Sequence, residues 1–328
     1  MRGTRPHGAA RSLGLCAALA AILPACGSPS GGPPGPPPSA APGASPSPSL
    51  DRLIAAAGDI ACGSTTGPNV PCRQRETAAL LGQIRPDAVL GLGDMQYESG
   101  GAVDFMRYYE PTWGLFRAKT YPVPGNHEYE TTQAHGYYDY FNGVAAFSGQ
   151  AGDRDKGYYS FDLGQWHVIA LNSNCEAVGG CGNGSPQMTF LRQDLTQHDR
   201  LCTLAYWHHP RFSSGVAGNH TRVADVWQAL YDSRVDVVLN GHDHDYERFS
   251  PQTPAQVPDP QGGIRQFVVG TGGRDVRPFR SPPERNSEVR DSSTFGVLRM
   301  RLRPTSYEWQ FVPVAGQAFT DAGSEACR

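Results

Sequence analysis

Residues 235–248 read VDVVLNGHDHDYER and combine a strand with a turn that carries two histidines. The first six residues are mostly β-branched or apolar, which is typical of a buried strand. His242 and His244 follow two residues apart, so both imidazoles can point toward one volume of space. Because imidazole is the commonest nitrogen ligand of transition metals, this stretch predicts a metal site at the end of a strand.

Four apolar segments upstream also end in polar side chains of metal-binding type. Segments 53–57, 87–92, 121–124 and 201–207 lead, in that order, into Asp59, Asp94 with Tyr97, Asn126 with His127, and His208. Each turn alone would more often be an ordinary strand-ending turn. Ligands of open α/β sheets gather at the carboxyl ends of the strands. The five turns together therefore predict one shared crevice.

This ordered set of motifs resembles the calcineurin-like metallophosphoesterases, and among them the purple acid phosphatases. The resemblance covers almost all of residues 53–272 and implies a four-layer α/β/β/α sandwich of two mixed β-sheets flanked by helices. It also implies two metal ions bridged by Asp94. The implied ligands are Asp59, Asp94, Tyr97 and His244 for metal 1, and Asp94, Asn126, His208 and His242 for metal 2.

One departure from the family sharpens this resemblance. Many relatives carry Asp-x-His at the first motif, whereas this chain has Asp59-Ile60-Ala61, and alanine cannot bind a metal. Tyr97 stands where the purple acid phosphatases carry a tyrosinate ligand. Since phenol has a pKa of about 10, tyrosinate binding near neutral pH requires a strongly Lewis-acidic ion. We therefore expect Fe(III) at metal 1, with divalent Zn, Fe or Mn at metal 2.

The resemblance also implies a reaction and two further site residues. The expected reaction is in-line attack of a metal-bound hydroxide on a small phosphorylated substrate. His127 would orient the substrate and protonate the leaving group. Relatives carry another histidine about ten residues after the position of His208; His220, two positions late, is the candidate here. His209 is expected to be a hydrogen-bonded residue outside the metal shell.

Three functions remain open at this point. A phosphomonoesterase of acid phosphatase type is favoured, with a phosphodiesterase or nucleotidase as the alternative. The choice depends on segments 129–147 and 281–293, which we expect to be substrate-facing loops. A non-catalytic surface lipoprotein that binds metal or phosphate is disfavoured because all seven ligand positions are filled. The segment 270–274, GTGGR, resembles a phosphate cradle, and a glycine-rich hairpin turn explains it equally well.

The N-terminal segment indicates export. Three arginines precede an apolar run over residues 13–23 that is too short to span a membrane as a helix. The following LPACG resembles a bacterial lipobox in which Cys26 would be lipidated. Pro24 is unusual there, so plain secretion with cleavage near residue 25 stays open. We expect an extracytoplasmic protein, held at the cell envelope by this lipid anchor if Cys26 is modified.

The expected domain organisation follows from composition. It comprises a signal peptide over residues 1–25, a Pro/Gly/Ser-rich linker over 26–49 and a catalytic domain over 50–328. Without the signal peptide the chain carries 25 basic and 31 acidic residues. It has no basic run or aromatic-interleaved patch, so nucleic-acid binding is not indicated.

Cysteine usage agrees with an oxidising compartment. Six cysteines follow Cys26, none in a zinc-like Cys-x-x-Cys spacing, which favours disulfides. Six cysteines allow fifteen pairings. Short spacing favours the first two of the following pairs, and elimination the third: Cys62–Cys72, Cys175–Cys181 and Cys202–Cys327.

Overall fold

The structure is a computed structural model, and it describes residues 50–328 except residues 65 and 68. The expected signal peptide, the linker and Cys26 lie outside the described residues. Within the described part, no helix has the length and apolar character needed to cross a bilayer.

Thirteen strands are found among the described residues. In chain order, β1 to β13 are Arg52–Ala57, Ala88–Leu92, Thr120–Val123, Tyr159–Leu163, Trp166–Ala170, Cys202–Tyr206, Val237–Asn240, Tyr246–Phe249, Arg265–Val269, Ser287–Asp291, Gly296–Arg303, Ser306–Pro313 and Ala322–Ala326. Helices α1 to α5 are Gln74–Ile84, Ala102–Asp104, His135–Asn142, Pro186–Gln197 and Ala224–Asp232. A π-helical turn, Phe105–Tyr109, continues α2. Short 3-10 helices are Trp113–Lys119, Glu128–Glu130, Thr132–Ala134, Cys175–Val178 and Thr221–Val223.

The strands form two mixed sheets. The first has the order β13-β12-β11-β1-β2-β3 and the second the order β10-β8-β9-β7-β6-β5-β4. Strands β1, β2 and β3 run parallel in the first sheet, as do β5, β6, β7 and β9 in the second. The parallel strands of each sheet therefore end at a common edge, where their connecting turns meet.

Successive side chains of β7 point to opposite faces of the second sheet and show how the layers pack. Val237 and Leu239 belong to the large core cluster that also contains β1, β2 and α1 residues, whereas Val238 belongs to a second cluster with α4 and α5. The second sheet is thus buried on both faces, which explains the continuous apolar sequence of its central strands. The predicted sandwich of two mixed sheets flanked by helices is confirmed.

The predicted hairpin and the predicted loops had different outcomes. The predicted hairpin is confirmed, since β4 and β5 pair with Leu163 opposite Trp166 around a two-residue turn. The expectation of loops over 129–147 and 281–293 is wrong. The first segment contains α3, whose tyrosines Tyr137 and Tyr138 are buried, and the second contains β10, which pairs with β8. Both elements form through distant contacts that leave little local signal.

Within residues 50–328, as far as the structure describes them, three disulfides join the pairs expected from the sequence. The Cα–Cα distances are 6.0 Å for Cys62–Cys72, 5.1 Å for Cys175–Cys181 and 5.3 Å for Cys202–Cys327, within the usual range. The third is different in kind. It connects the start of β6 in the second sheet with the residue that follows β13 in the first.

Candidate metal centre

Five turns from the two sheets meet at one site. Those after β1, β2 and β3 carry Asp59, Asp94 with Tyr97, and Asn126, and those after β6 and β7 carry His208, His242 and His244. Three of these residues have a left-handed backbone, with φ of 58° at Asp59, 47° at Asp94 and 75° at His242. This conformation is uncommon for residues other than glycine and clusters at functional sites.

The first group of polar side chains consists of Asp59, Asp94, Tyr97 and His244. The Tyr97 hydroxyl lies 2.8 Å from Asp59 Oδ1, 3.0 Å from Asp94 Oδ2 and 3.0 Å from His244 Nε2. Ligand atoms around an octahedral ion with bonds of about 2.1 Å lie about 3 Å apart. The spacing and the donor types of the first group therefore fit one metal ion.

The second group consists of Asp94, Asn126, His208 and His242. His208 Nε2 lies 3.2 Å from Asn126 Oδ1, 3.2 Å from His242 Nδ1 and 3.3 Å from Asp94 Oδ2. The same oxygen, Asp94 Oδ2, thus belongs to both groups. A shared carboxylate oxygen is the arrangement needed to bridge two ions.

Hydrogen bonds fix the orientation of two of these histidines. His208 Nδ1 lies 2.8 Å from the carbonyl oxygen of Leu92, and His244 Nδ1 lies 2.7 Å from that of Asp275. Because a carbonyl can only accept, each Nδ1 carries the proton, which leaves Nε2 free to bind an ion.

The electrostatics of the site favour cations. The pKa of Asp94 is held well below its usual value because the neighbouring histidines, His208 first, outweigh the effect of burial. Burial alone would lower the pKa of His208, but the Asp94 carboxylate raises it to about 9. Asp59 likewise raises the pKa of His244 to about 9 against the effect of burial. The buried carboxylates thus hold positive charge on their neighbours, and metal ions can replace that charge.

Tyr97 behaves differently from these ionised groups. Burial, together with the Asp59 and Asp94 carboxylates, raises the pKa of its phenol well above the usual value. Its proton therefore leaves only if a strongly Lewis-acidic ion binds the oxygen.

Glu128 organises the site without belonging to either group. Its buried carboxylate accepts backbone N–H bonds from Asp94, Met95, Gln96 and Gly125 at 2.7–3.2 Å. These bonds fasten the turn after β2 to the turn after β3. Burial raises the pKa of Glu128 to about 7 against the opposing effect of the N–H donors. The sequence motif contains Glu128, but its bonds go to backbone groups, which carry no sequence signature.

His127 lies at the rim of the first group. Its backbone N–H donates to Asp94 Oδ1 at 2.9 Å, its Nδ1 bonds to the carbonyl oxygen of Glu98, and its Nε2 lies 3.9 Å from Asp94 Oδ2. The ring centroid is 4.3 Å from that of Tyr97. The side chain keeps 28% of its surface exposed. His127 is thus positioned to reach a molecule bound over both groups.

His220 lies at the rim of the second group. Its ring centroid is 4.9 Å from that of His242 and 4.7 Å from that of His209. Its buried Nε2 has no hydrogen-bond partner among the residues that the structure describes. Asp243 holds the turn that precedes it, since its carboxylate accepts from the Ser213 hydroxyl and from the backbone N–H groups of Ala217 and Gly218.

His209 is hydrogen-bonded, as expected, with Nδ1 2.8 Å from the Ser173 hydroxyl. Its ring nevertheless lies close to the second group, 4.3 Å from that of His242 between centroids. A cavity of about 520 Å³ opens beside it. The cavity is lined in part by Asn126, Tyr129, Asn174, His209, His220 and Arg222. It is the open space directly beside the second group.

A second cluster, formed by His167, His198 and Asp194, also contains side chains of metal-binding type but is not arranged as a metal site. His167 lies between two carboxylates, with Nδ1 3.0 Å from Asp162 Oδ1 and Nε2 2.7 Å from Asp194 Oδ2. The rings of His167 and His198 stack 4.2 Å apart at an angle of 7°. Since nitrogen lone pairs lie in the ring plane, stacked imidazoles are poorly arranged to share one ion. The cluster is an ion pair in which the two carboxylates outweigh burial and raise the His167 pKa.

Comparison with known proteins agrees with this geometry. Residues 53–246 match the family model of the calcineurin-like phosphoesterases. The chain belongs to this family.

Among its curated relatives are purple acid phosphatase 15 of Arabidopsis thaliana and acid phosphatase type 7 of Homo sapiens. The first is 30% identical over 67% of this chain and 44% of the relative, and the second is 28% identical over 76% and 61%. A purple acid phosphatase from yellow lupin seeds shares the fold, with a TM-score of 0.67 at 20% identity over 84% of this chain and 54% of that structure. The chain thus spans about half the length of the curated relatives it matches.

Proposed function

We propose that the protein is a phosphomonoesterase of purple acid phosphatase type that uses a dinuclear Fe(III)–M(II) centre. The observation that carries this proposal is the position of Asp94 Oδ2, which is common to two groups of metal-binding side chains. Tyr97 in the first group favours Fe(III) there. The second group, with two imidazoles and an amide oxygen, suits divalent Zn, Fe or Mn.

Each residue of the site has a distinct task in this proposal. When bound, the two ions supply a nucleophile from water and stabilise charge on the phosphoryl oxygens. Asp94 Oδ2 would be a ligand common to both ions. His127, at the rim of the first group and partly exposed, orients the substrate and protonates the leaving oxygen. His220, at the rim of the second group, contacts a phosphoryl oxygen on the side of the substrate away from His127.

The cavity beside the second group supports an alternative substrate class. Its volume of about 520 Å³ is more than a small alkyl group needs. A nucleoside would fit a space of this size, so a nucleotidase or phosphodiesterase with the same centre is the second candidate. Turnover of simple monoesters, nucleotides and diesters, measured side by side, decides between the two.

The experiment that tests the centre is the absorption spectrum of protein produced with iron. Tyrosinate on Fe(III) gives a charge-transfer band in the visible, so the wild type is expected to be pink to violet. Tyr97→Phe should lose the colour and retain the fold, since only the phenol oxygen is removed. Tyr137→Phe is the matched control, because Tyr137 is equally buried but lies in α3. A colourless, fully active wild type holding two Zn or Mn ions would contradict the ferric assignment.

We also propose that the protein acts outside the cytoplasm, with Cys26 as a lipid anchor. Three disulfides support an oxidising compartment. Globomycin should leave an unprocessed precursor, and Cys26→Ala should block maturation or release the protein. A mature N-terminus well beyond Cys26 without lipid would reduce the proposal to plain secretion.

A further inference from the structure

The segment 272–277, which follows β9, contacts three of the four residues in the first group. The backbone N–H of Arg274 donates to the carbonyl oxygen of Asp59 at 2.8 Å. The carbonyl oxygen of Asp275 accepts from His244 Nδ1 at 2.7 Å. The Arg274 guanidinium lies over the Tyr97 ring, with its central carbon 4.9 Å from the ring centroid.

Residues 270–274, the stretch whose sequence resembles a phosphate cradle, do not present a row of free backbone N–H groups to a phosphate. The backbone N–H groups of Gly270 and Gly272 donate to the carbonyl oxygens of Asp245 and Gly58 at 3.0 and 2.9 Å. With the Arg274 N–H also engaged, these donors are not available to an anion. Glycine is needed at position 272 because the backbone there lies close to the turn after β1. A Cβ at this position would lie 2.4 Å from the Gly58 carbonyl oxygen. The segment is therefore support for the metal centre.

The guanidinium of Arg274 is a buried charge that lies between two carboxylates and the Tyr97 ring. Only 9% of the residue is exposed. Its terminal nitrogen lies 2.9 Å from Glu98 Oε1, and its Nε lies 3.2 Å from Asp275 Oδ1. A cation over an aromatic face is attracted to the ring, and the interaction strengthens as water is removed. The planar guanidinium is also better suited than an ammonium group to stack on a ring.

We propose that Arg274 is a positioning residue that holds the Tyr97 ring and tunes its electron donation to metal 1, with Glu98 opposing its charge. This inference rests on the proposed function, because it requires Tyr97 to bind Fe(III). The positive charge lies over the ring, whereas the ion would bind beyond the hydroxyl. The Arg274 charge therefore stabilises an electron on the phenolate more than it stabilises the same electron after transfer to iron. The energy of the charge-transfer band is raised as a result.

This reasoning fixes the direction in which the charge-transfer band moves in two variants. Arg274→Gln removes the cation, so the band should move to longer wavelength, on the order of 10 nm for an effective dielectric constant of about 20. Glu98→Gln removes the opposing carboxylate, so the band should move to shorter wavelength. Arg274→Lys keeps the charge and should leave the band close to the wild-type position. A general loosening of the site would move the bands of Arg274→Gln and Glu98→Gln in the same direction.

The test is the visible spectrum of the full-length wild type and the three variants, each loaded with iron and checked for metal content. A shift to longer wavelength in Arg274→Gln together with a shift to shorter wavelength in Glu98→Gln supports the inference. Unchanged bands, shifts of the same sign, or shifts in the reverse directions overturn it while the ferric assignment stands. If Arg274→Gln fails to fold, the direction of the Glu98→Gln shift decides. A wild type without a visible band after iron loading overturns the ferric assignment and this inference together.

Discussion

Removing the disulfide between the two sheets should destabilise the protein more than removing either short one. Cys202 and Cys327 are separated by 125 residues, whereas Cys175 and Cys181 are separated by 6. In the loop-entropy model the long crosslink stabilises the fold by about 5 kcal/mol and the short one by about 2.4 kcal/mol. Both pairs include buried sulfurs, so the packing lost on substitution by alanine is similar and largely cancels in the comparison.

The assay is thermal unfolding of the two double variants, Cys202→Ala/Cys327→Ala and Cys175→Ala/Cys181→Ala. We expect the melting temperature to fall by roughly 10–20 °C for the first and roughly 5–10 °C for the second. Amide hydrogen exchange should also accelerate in β13, the strand that the long disulfide fastens. Equal losses in the two variants, or a larger loss for the short loop, would refute the entropic reasoning.

Three further predictions concern single residues. Glu128→Gln leaves two of the four backbone N–H groups without an acceptor, so metal content should fall severalfold and stability by about 2–4 kcal/mol, whereas the exposed control Glu130→Gln should match the wild type. His167 has a raised pKa, so its contribution is fully present below about pH 6.5 and is lost as pH rises through the folded pKa. The stability gap between wild type and His167→Gln, measured by urea unfolding, should therefore shrink from pH 6 to pH 9, and a constant gap would count against the ion pair. Asp243→Asn should loosen the turn that carries His220 and raise KM more than it lowers kcat; an unchanged KM would show that this turn does not touch substrate.

The candidate site could be predicted from sequence wherever its residues directly follow a strand. His242 and Asp59 are examples, because a strand, a turn and a polar side chain form one local pattern. Arg274 could not be found in this way. It meets Tyr97 across the fold, from a segment 177 positions further along the chain whose glycines suggested a phosphate site. Which aromatic ring a buried arginine contacts is decided by tertiary packing, not by neighbouring sequence.

The secondary-structure elements also divide into those that local sequence patterns predict and those that form only through tertiary contacts. Strands with continuous apolar sequence, such as β7, were predictable because burial on both faces is visible in composition. Helix α3 was missed because its buried face is made of tyrosines, which also occur in loops, and because 3-10 turns with irregular backbone precede it. Strand β10 alternates exposed and half-buried residues at a sheet edge and exists only through its pairing with β8.

The candidate centre draws Asp59, Asp94, Tyr97 and Asn126 from one sheet and His208, His242 and His244 from the other. Each group therefore takes ligands from both sheets, and the distance between those ligands depends on how far apart the sheets pack, about 10 Å in most sandwiches. A substitution in the core between the sheets, such as Leu239→Val, would change that distance without touching a ligand. Engineering this scaffold for other metals or larger substrates should therefore include the inter-sheet core in the mutant library, because side-chain volume there sets the spacing between ligands of the first sheet and ligands of the second.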